Sequence, residues 1–379
     1  MHIALLSNHL HYPWTGFGGV ERWSQYLADG FIRAGHQVTL LANAPADKLP
    51  PHPELNPQVQ IVPLGQRKLL AAWRGRRWLS KVRPEVLLSG SHRFNLMADA
   101  MRGKRQQPVW ICAIHENLSM AAAQAAPKRR ARRGTELLRT NRADALVAVS
   151  HDVQRDAAAA WRLQAEKLLT IYNPIVDDAW LASAAGPSPH PWLEDASVPV
   201  ITTAGRLTEQ KGLDDLIDAF ARLRARRPCR LLVLGEGKLR AALQARIDEL
   251  DVAEDAALLG HLDQPAAAIA RSQVFALTSR WEGFGNVLPE AMSLGVPVVA
   301  TDCPSGPREI LEDGQWGPLV PVGDVAAIAD GLEQALMAPV DRQALALRGQ
   351  HFSVQRSVDA YLALFERLTA SRAPQVAQA

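Results

Sequence analysis

Thr278-Ser-Arg-Trp-Glu282-Gly-Phe-Gly-Asn-Val-Leu-Pro-Glu290-Ala-Met-Ser-Leu-Gly295-Val-Pro-Val-Val-Ala-Thr-Asp-Cys303-Pro-Ser305 is the stretch on which the reading of this chain turns. A short apolar run, Val274 to Leu277, leads into it, and a second, Val296 to Ala300, lies inside it. Between them an apolar helix stops at Gly295. Strand, loop, helix and strand in that order predict a loop at the carboxyl edge of a parallel sheet, where α/β proteins bind ligands. Glu282 then lies on the loop and Glu290 in the first turn of the helix. Two carboxylates can face one cleft.

The same pattern runs outward in both directions. The chain opens with a strand over His2 to Ser7 and a long loop ending in Gly18-Gly19. The helix that follows carries Val20, Trp23, Leu27 and Phe31 on one face and stops at Gly35. Val38–Leu41, Val86–Leu88, Trp110–Ala113 and Ala145–Val149 are further short apolar runs separated by polar or helical segments, as in parallel βαβ units. After Tyr172-Asn173-Pro174 the character changes. Gly186-Pro-Ser-Pro-His-Pro191 cannot continue a regular element and is read as part of a linker. A second series begins at Val198. It has a strand to Thr203, an amphipathic helix over Leu213 to Arg224, and a strand over Arg230 to Leu234 ended by Gly235-Glu-Gly237. A helix and a strand over Ala257 to Leu259 come next. The expectation is an α/β chain of two Rossmann-like parallel-sheet domains, 1–174 and 198–352, joined by a Pro-rich linker over 175–197 and facing a central cleft.

Composition narrows the setting. Apolar residues make up 47% and charged residues 21% of the 379, a globular proportion. No apolar run approaches the roughly 20 residues that span a bilayer, and Met1–Ser7 lacks the basic start of a secretory leader. Cys112, Cys229 and Cys303 are odd in number and far apart, so neither a disulfide framework nor zinc spacing follows, and a reducing cytoplasm is the expected compartment. The net charge of +3 hides an asymmetry: Gln66 to Thr140 holds 17 Lys or Arg against four acidic residues. An anionic partner is implied, either a membrane surface or a nucleic acid.

Four positions carry candidate chemistry besides the glutamates. Gly16-Phe-Gly18-Gly19 runs into a helix start, where glycine admits close backbone approach to an anion; a plain tight turn has the same composition. Ala204-Gly205-Arg206-Leu-Thr-Glu-Gln-Lys211-Gly212 follows a strand directly, so Arg206 and Lys211 project from a sheet's carboxyl edge. A planar fork and a point charge together suit the phosphates of a diphosphate. His115 follows a first-domain strand, where it can meet a substrate hydroxyl or serve structure alone. Paired carboxylates also suit glycoside hydrolysis, a reading that leaves the basic loop unexplained. No metal is expected: there is no His-x-x-x-His, and Asp177-Asp178 and Asp214-Asp215 lack supporting ligands.

In order and spacing these motifs resemble the family 4 retaining glycosyltransferases of the GT-B fold over nearly the whole chain. The residues that carry the resemblance are Gly18-Gly19-Val-Glu-Arg22, Asn173-Pro174, Ala204-Gly-Arg206-Leu with Lys211-Gly212, and Gly235-Glu-Gly237. Glu282-x7-Glu290 and Gly295-Val-Pro-Val-Val-Ala-Thr complete them. The resemblance implies that the last helix, within 353–371, crosses back to the first domain. Arg206 and Lys211 would bind the diphosphate of a nucleotide-sugar donor and stabilise it as leaving group. Glu290 would hold the ribose hydroxyls and Glu282 would contact the transferred sugar. Gly283, Phe284, Gly285 and Asn286 would line that sugar, with the Val287 and Leu288 amides near the phosphates. Gly205, Gly235 and Gly237 would shape the donor loops, Gly18 and Gly19 would close over the diphosphate, and His115 would lie near the sugar. No metal or other cofactor is implied.

Asp302-Cys-Pro-Ser-Gly-Pro-Arg-Glu309 is similar to members that use UDP-linked galactose or N-acetylhexosamines in bacterial surface glycans, so UDP is favoured over GDP-mannose. It is also a helix start signalled by Gly306-Pro307. Leu69, Leu70, Trp73, Arg76, Arg77, Trp78 and Lys81 mix aromatics, leucines and cations as interfacial helices do, and Lys128, Arg129, Arg130, Arg132 and Arg133 form a second cluster. With the resemblance, these imply peripheral binding to anionic lipids at the inner face of the cytoplasmic membrane and a lipid-linked or lipopolysaccharide-type acceptor. Nucleic acid is not expected, since no motif for it accompanies the charge. A nucleotide-sugar epimerase or hydrolase, or a non-catalytic nucleotide-sugar sensor, remains open on the same fold.

Overall fold

The structure is a computed structural model that describes residues 1–7, 19–44, 55–104, 107–123 and 137–372. The chain forms two compact units. One comprises the residues up to Pro174 together with the chain from Val354 onward, and the other is Ile175–Ser353.

The first unit is built on a seven-stranded sheet: β1 (His2–Ser7), β2 (Gln37–Ala42), β3 (Gln60–Pro63), β4 (Val86–Gly90), β5 (Val109–Ile114), β6 (Ala145–Ala148) and β7 (Leu168–Thr170). Its order is β3-β2-β1-β4-β5-β6-β7 and every pairing is parallel. Central strands β4 and β5 are buried along their entire length. Helices cover both faces of such a sheet, so its strands read as unbroken apolar runs rather than alternating ones. The second unit has β8 (Val200–Ala204), β9 (Arg230–Leu234), β10 (Ala256–Gly260), β11 (Val274–Leu277), β12 (Val298–Thr301) and β13 (Leu319–Val320), ordered β10-β9-β8-β11-β12-β13 and again all parallel. In each sheet the strand order reverses once, between β1 and β4 and between β8 and β11. Chain segments leaving the two strands at a reversal run to opposite faces and open a crevice above the carboxyl ends.

Two differences from the sequence reading have physical causes. The edge strands β3, β7 and β13 are short and only partly apolar, so they carried no signal. The segment 175–197 is no free linker. Asp177 caps the helix Asp178–Ser183 by accepting from the Trp180 amide at 2.8 Å, and the buried Trp180 indole donates to Ser293 Oγ at 3.1 Å. Arg271 donates to the carbonyls of Ala184 and Gly186, at 3.1 and 2.8 Å. Proline-rich composition limits regular structure; it does not forbid packing. The segment belongs to the second unit.

The helix Val354–Ala370 is part of the first unit, buried through Val354, Val358, Tyr361, Leu364 and Phe365. Phe365 meets Phe31 at 5.4 Å between ring centroids. The contact requires a small residue on the helix Gly19–Arg33, because a Cβ at Gly30 would lie 2.2 Å from Val358 Cγ2. Gly30→Ala is therefore expected to destabilise by about 1–3 kcal/mol, the usual penalty for overpacking. Val358→Ala in the same chain should recover part of that loss in urea unfolding, whereas additive losses would exclude this contact as the cause.

Candidate active site

The loops leaving β8 and β11 flank the strand reversal of the second unit, and a set of polar contacts ties them together. The Arg280 amide donates to the Gln210 carbonyl at 2.7 Å. Gln210 Nε2 returns a bond to the Trp281 carbonyl at 2.9 Å, and Thr278 Oγ1 donates to the Lys211 carbonyl at 3.1 Å. The Arg280 guanidinium reaches the Glu209 carbonyl at 2.7 Å and both Asp214 and Asp215 at 2.9 Å. Gly212 (φ +56°) is where the first loop turns against the second, and a Cβ there would lie 2.2 Å from the Thr278 carbonyl oxygen. The two loops behave as one body.

Lys211 and Glu282 face each other across that join. Lys211 Nζ lies 2.5 Å from Glu282 Oε1, and Ser279 Oγ donates to the same oxygen at 2.6 Å. Glu282 is 7% exposed. Its amide donates to the Pro304 carbonyl at 3.1 Å, which ties the loop to the turn after β12. Cys303 is buried beside the pair. Burial first, and then the Glu282 charge, push its thiol up to about 12, so it stays protonated at neutral pH. Arg206 stands on the β8 loop exposed, its guanidinium with no hydrogen-bond or ion-pair partner among the described residues. One compensated and one uncompensated cation thus share a single loop.

Several expected residues serve the loop framework. Gly235 (φ +143°) lies against the backbone of the β8 loop, with a hypothetical Cβ 1.9 Å from the Gly205 carbonyl, and Gly237 meets Leu207 in the same way at 2.5 Å. These glycines let the loops after β8 and β9 touch. Phe284 is 2% exposed and its ring packs edge-on against Phe352 at 5.3 Å, so its side chain belongs to the core. Gly283, Gly285 and Asn286 continue the loop, and Val287 and Leu288 open the helix Val287–Ser293. Glu290 is in that helix, 4% exposed; its carbonyl accepts from Ser293 Oγ at 2.8 Å and from the Trp180 indole at 3.3 Å. Among the described residues, no cluster of three or more His, Cys, Asp or Glu could hold a metal ion.

His115 lies in the first unit, just past β5, edge-on to the Trp23 indole at 4.7 Å between ring centroids. Gly19 opens the helix Gly19–Arg33. Gly18 and the cluster Lys128, Arg129, Arg130, Arg132 and Arg133 lie outside the described residues. The helix Lys68–Val82 buries Ala71, Gly75 and Leu79 and leaves Leu69 89% and Trp73 55% exposed. Arg76 and Arg77 are exposed on it, Arg77 lying over the Trp73 ring at 5.7 Å, while Trp78 is half-buried against His2. No helix among the described residues is long and apolar enough to cross a membrane.

Sequence reasoning missed Arg280, Ser279, Thr278 and Gln210. Of these, Arg280 had the one visible signal, a cation two residues before Glu282 with the acidic pair Asp214-Asp215 at the start of the opposing helix.

Comparison with known proteins agrees with this architecture. The family described as Glycosyltransferase Family 4 matches residues 17–179, and Glycosyl transferases group 1 matches residues 198–338. An N-acetylgalactosamine-N,N'-diacetylbacillosaminyl-diphospho-undecaprenol 4-alpha-N-acetylgalactosaminyltransferase of Campylobacter jejuni is 40% identical over 136 residues, 36% of this chain and 37% of that protein. A lipopolysaccharide core biosynthesis glycosyltransferase of Rhizobium meliloti is 35% identical over 174 residues, 45% of this chain and 50% of that one. The matched stretches thus span half or less of these relatives' lengths. The Anabaena protein HepE, solved with UDP-glucose, superposes with a TM-score of 0.76 at 19% identity, covering 97% of this chain and 100% of that one. Both halves of the chain are matched in order, the sheets are those of the GT-B fold, and the chain belongs to the family 4 glycosyltransferases.

Proposed function

We propose that the protein is a retaining glycosyltransferase that moves a hexose or N-acetylhexosamine from a UDP-sugar to a lipid-linked or lipopolysaccharide-type acceptor. The observation that carries this reading is the pairing of an uncompensated Arg206 with the compensated Lys211–Glu282 pair on one rigid loop body. In the reaction, the bond from the sugar's anomeric carbon to the diphosphate breaks while a bond to an acceptor oxygen forms on the same face. The acceptor's proton passes to the departing phosphate oxygen. Negative charge grows on the diphosphate, and the open Arg206 guanidinium, drawn against it, stabilises the transition state more than the ground state. Lys211 adds positive potential and holds Glu282 for the sugar, and Glu290 is assigned to the ribose hydroxyls. These cations do the work that a divalent ion does in other transferases, so the reaction is proposed to proceed without metal.

The choice of UDP rests on the Asp302–Glu309 segment, and that of an amino or neutral hexose on the segment and on the activity named for the Campylobacter relative. The acceptor class rests on the same relative and on the lipopolysaccharide enzyme. A place at the inner face of the cytoplasmic membrane rests on the helix Lys68–Val82, which has no acidic residue and exposes Leu69, Trp73, Arg76, Arg77 and Lys81. Cations over apolar side chains suit an anionic lipid surface.

The central test is UDP release from a panel of UDP- and GDP-sugars with lipid-linked acceptors. Glu282→Ala should abolish transfer, and a response to GDP-mannose alone would overturn the donor choice. Arg206→Ala is expected to lower kcat roughly 100-fold or more while leaving stability unchanged, because its charge has no partner to lose. Lys211→Met should lower stability as well, by about 3–5 kcal/mol, since it strands a buried carboxylate; Glu282→Gln in the same chain should recover part of this in urea unfolding. Equal stability losses for the Arg206 and Lys211 variants would contradict the assignment. In sedimentation with vesicles, the protein should bind phosphatidylglycerol-containing but not pure phosphatidylcholine bilayers and should release at high salt. Trp73→Ala with Arg77→Ala should weaken that binding, and indifference to lipid charge would exclude it.

A further inference from the structure

Both donors that reach the Glu282 carboxylate converge on one of its two oxygens. Lys211 Nζ and Ser279 Oγ lie 2.5 and 2.6 Å from Oε1, and Oε2 has no hydrogen-bond partner among the described residues. The side chain is nine-tenths buried, but Oε2 itself is not sealed from solvent, so it keeps an open side to which water or a ligand hydroxyl can donate. Ser279 is itself completely buried. Its carbonyl accepts from Thr301 Oγ1 at 2.6 Å, which anchors the end of β11 to the end of β12 and fixes where the Ser279 hydroxyl starts. Thr278, one residue earlier, holds the Lys211 carbonyl at 3.1 Å. Adjacent residues of one strand end therefore set both the ammonium and the hydroxyl that grip Oε1.

We propose that Ser279 is a positioning residue: with Lys211 it pins Oε1 of Glu282 so that Oε2 is presented, in one direction, to a hydroxyl of the transferred sugar. The proposal rests on the glycosyl-transfer reading and adds to it which carboxylate oxygen meets the ligand and what aims it. Without the Ser279 hydroxyl, the carboxylate is held at a single point by a flexible lysine and can turn about its own axis. A hydroxyl-reading group that can turn discriminates less between a sugar that has the hydroxyl and one that lacks it.

The test compares Ser279→Ala with the unaltered protein, using the accepted UDP-sugar and its analogues deoxygenated at single ring positions. In the unaltered protein, one deoxy analogue should lose roughly 100-fold or more in kcat/KM. Ser279→Ala should lose about 10-fold with the complete donor, the scale of one hydrogen bond to a charged group, and much less with that analogue, so that discrimination narrows. UDP affinity by calorimetry should not change. Ser279→Cys keeps the shape with a somewhat larger atom and weakens the donor; it should behave like the alanine variant and is read in its place if alanine fails to fold. An equal loss with every donor, or no loss, would overturn the proposal, because a hydroxyl that only supports structure does not distinguish among sugars. If the unaltered protein turns over no nucleotide sugar and binds no UDP, the transfer reading itself fails and this inference falls with it.

Discussion

The second unit is organised around an ion pair that water barely reaches. A lysine and a glutamate at 2.5 Å, each largely buried, are stable only if their remaining valences are met and their backbones cannot drift apart. The fold meets the second condition through topology. Reversal of strand order between β8 and β11 sets two loops side by side at the carboxyl ends of neighbouring strands. Everything else at the join enforces that neighbourhood: the Arg280–Gln210 backbone bond, the return bond from Gln210 to Trp281, and the Arg280 guanidinium on Asp214 and Asp215. Side chains in such a setting move little when a ligand arrives, which is the condition for electrostatic preorganisation.

The sequence was most legible where one physical requirement fixes one residue type. Buried parallel strands must be apolar on both faces, so β1, β4, β5, β8, β9 and β11 stand out as runs. Gly212 stood out with Lys211, since a turn this close to another strand's carbonyl admits only glycine. Glu282 and Lys211 were visible as site residues. Their mutual ion pair was not, because residues 71 positions apart meet only once the sheet order is known. The Phe284 ring packs onto Phe352, a partner far along the chain that nothing within the loop encodes. The 175–197 segment failed for a related reason. Its prolines limit regular structure to the short helix Asp178–Ser183 and one further turn, whereas its anchoring through Trp180 and Arg271 depends on partners 85 to 113 positions away in sequence.

Family likeness implies roles, and on the proposed reading two of them would be shared unequally. The resemblance treats Arg206 and Lys211 as equivalent phosphate-binding cations, yet only Arg206 is electrostatically uncompensated in the free protein. A cation already neutralised by a buried carboxylate gives less to an incoming diphosphate than an open one, unless the ligand draws the carboxylate away. A sugar hydroxyl donating to Glu282 Oε2 has that character: it shares the carboxylate's negative charge and frees part of the lysine's field. Sugar and diphosphate binding would then reinforce each other through a single carboxylate, so a nucleotide without its sugar should find Lys211 less available than the complete donor does. On the proposed transfer reading, the buried ion pair would thus favour the intact donor over the released nucleotide, and product could leave a site that the donor had fully engaged.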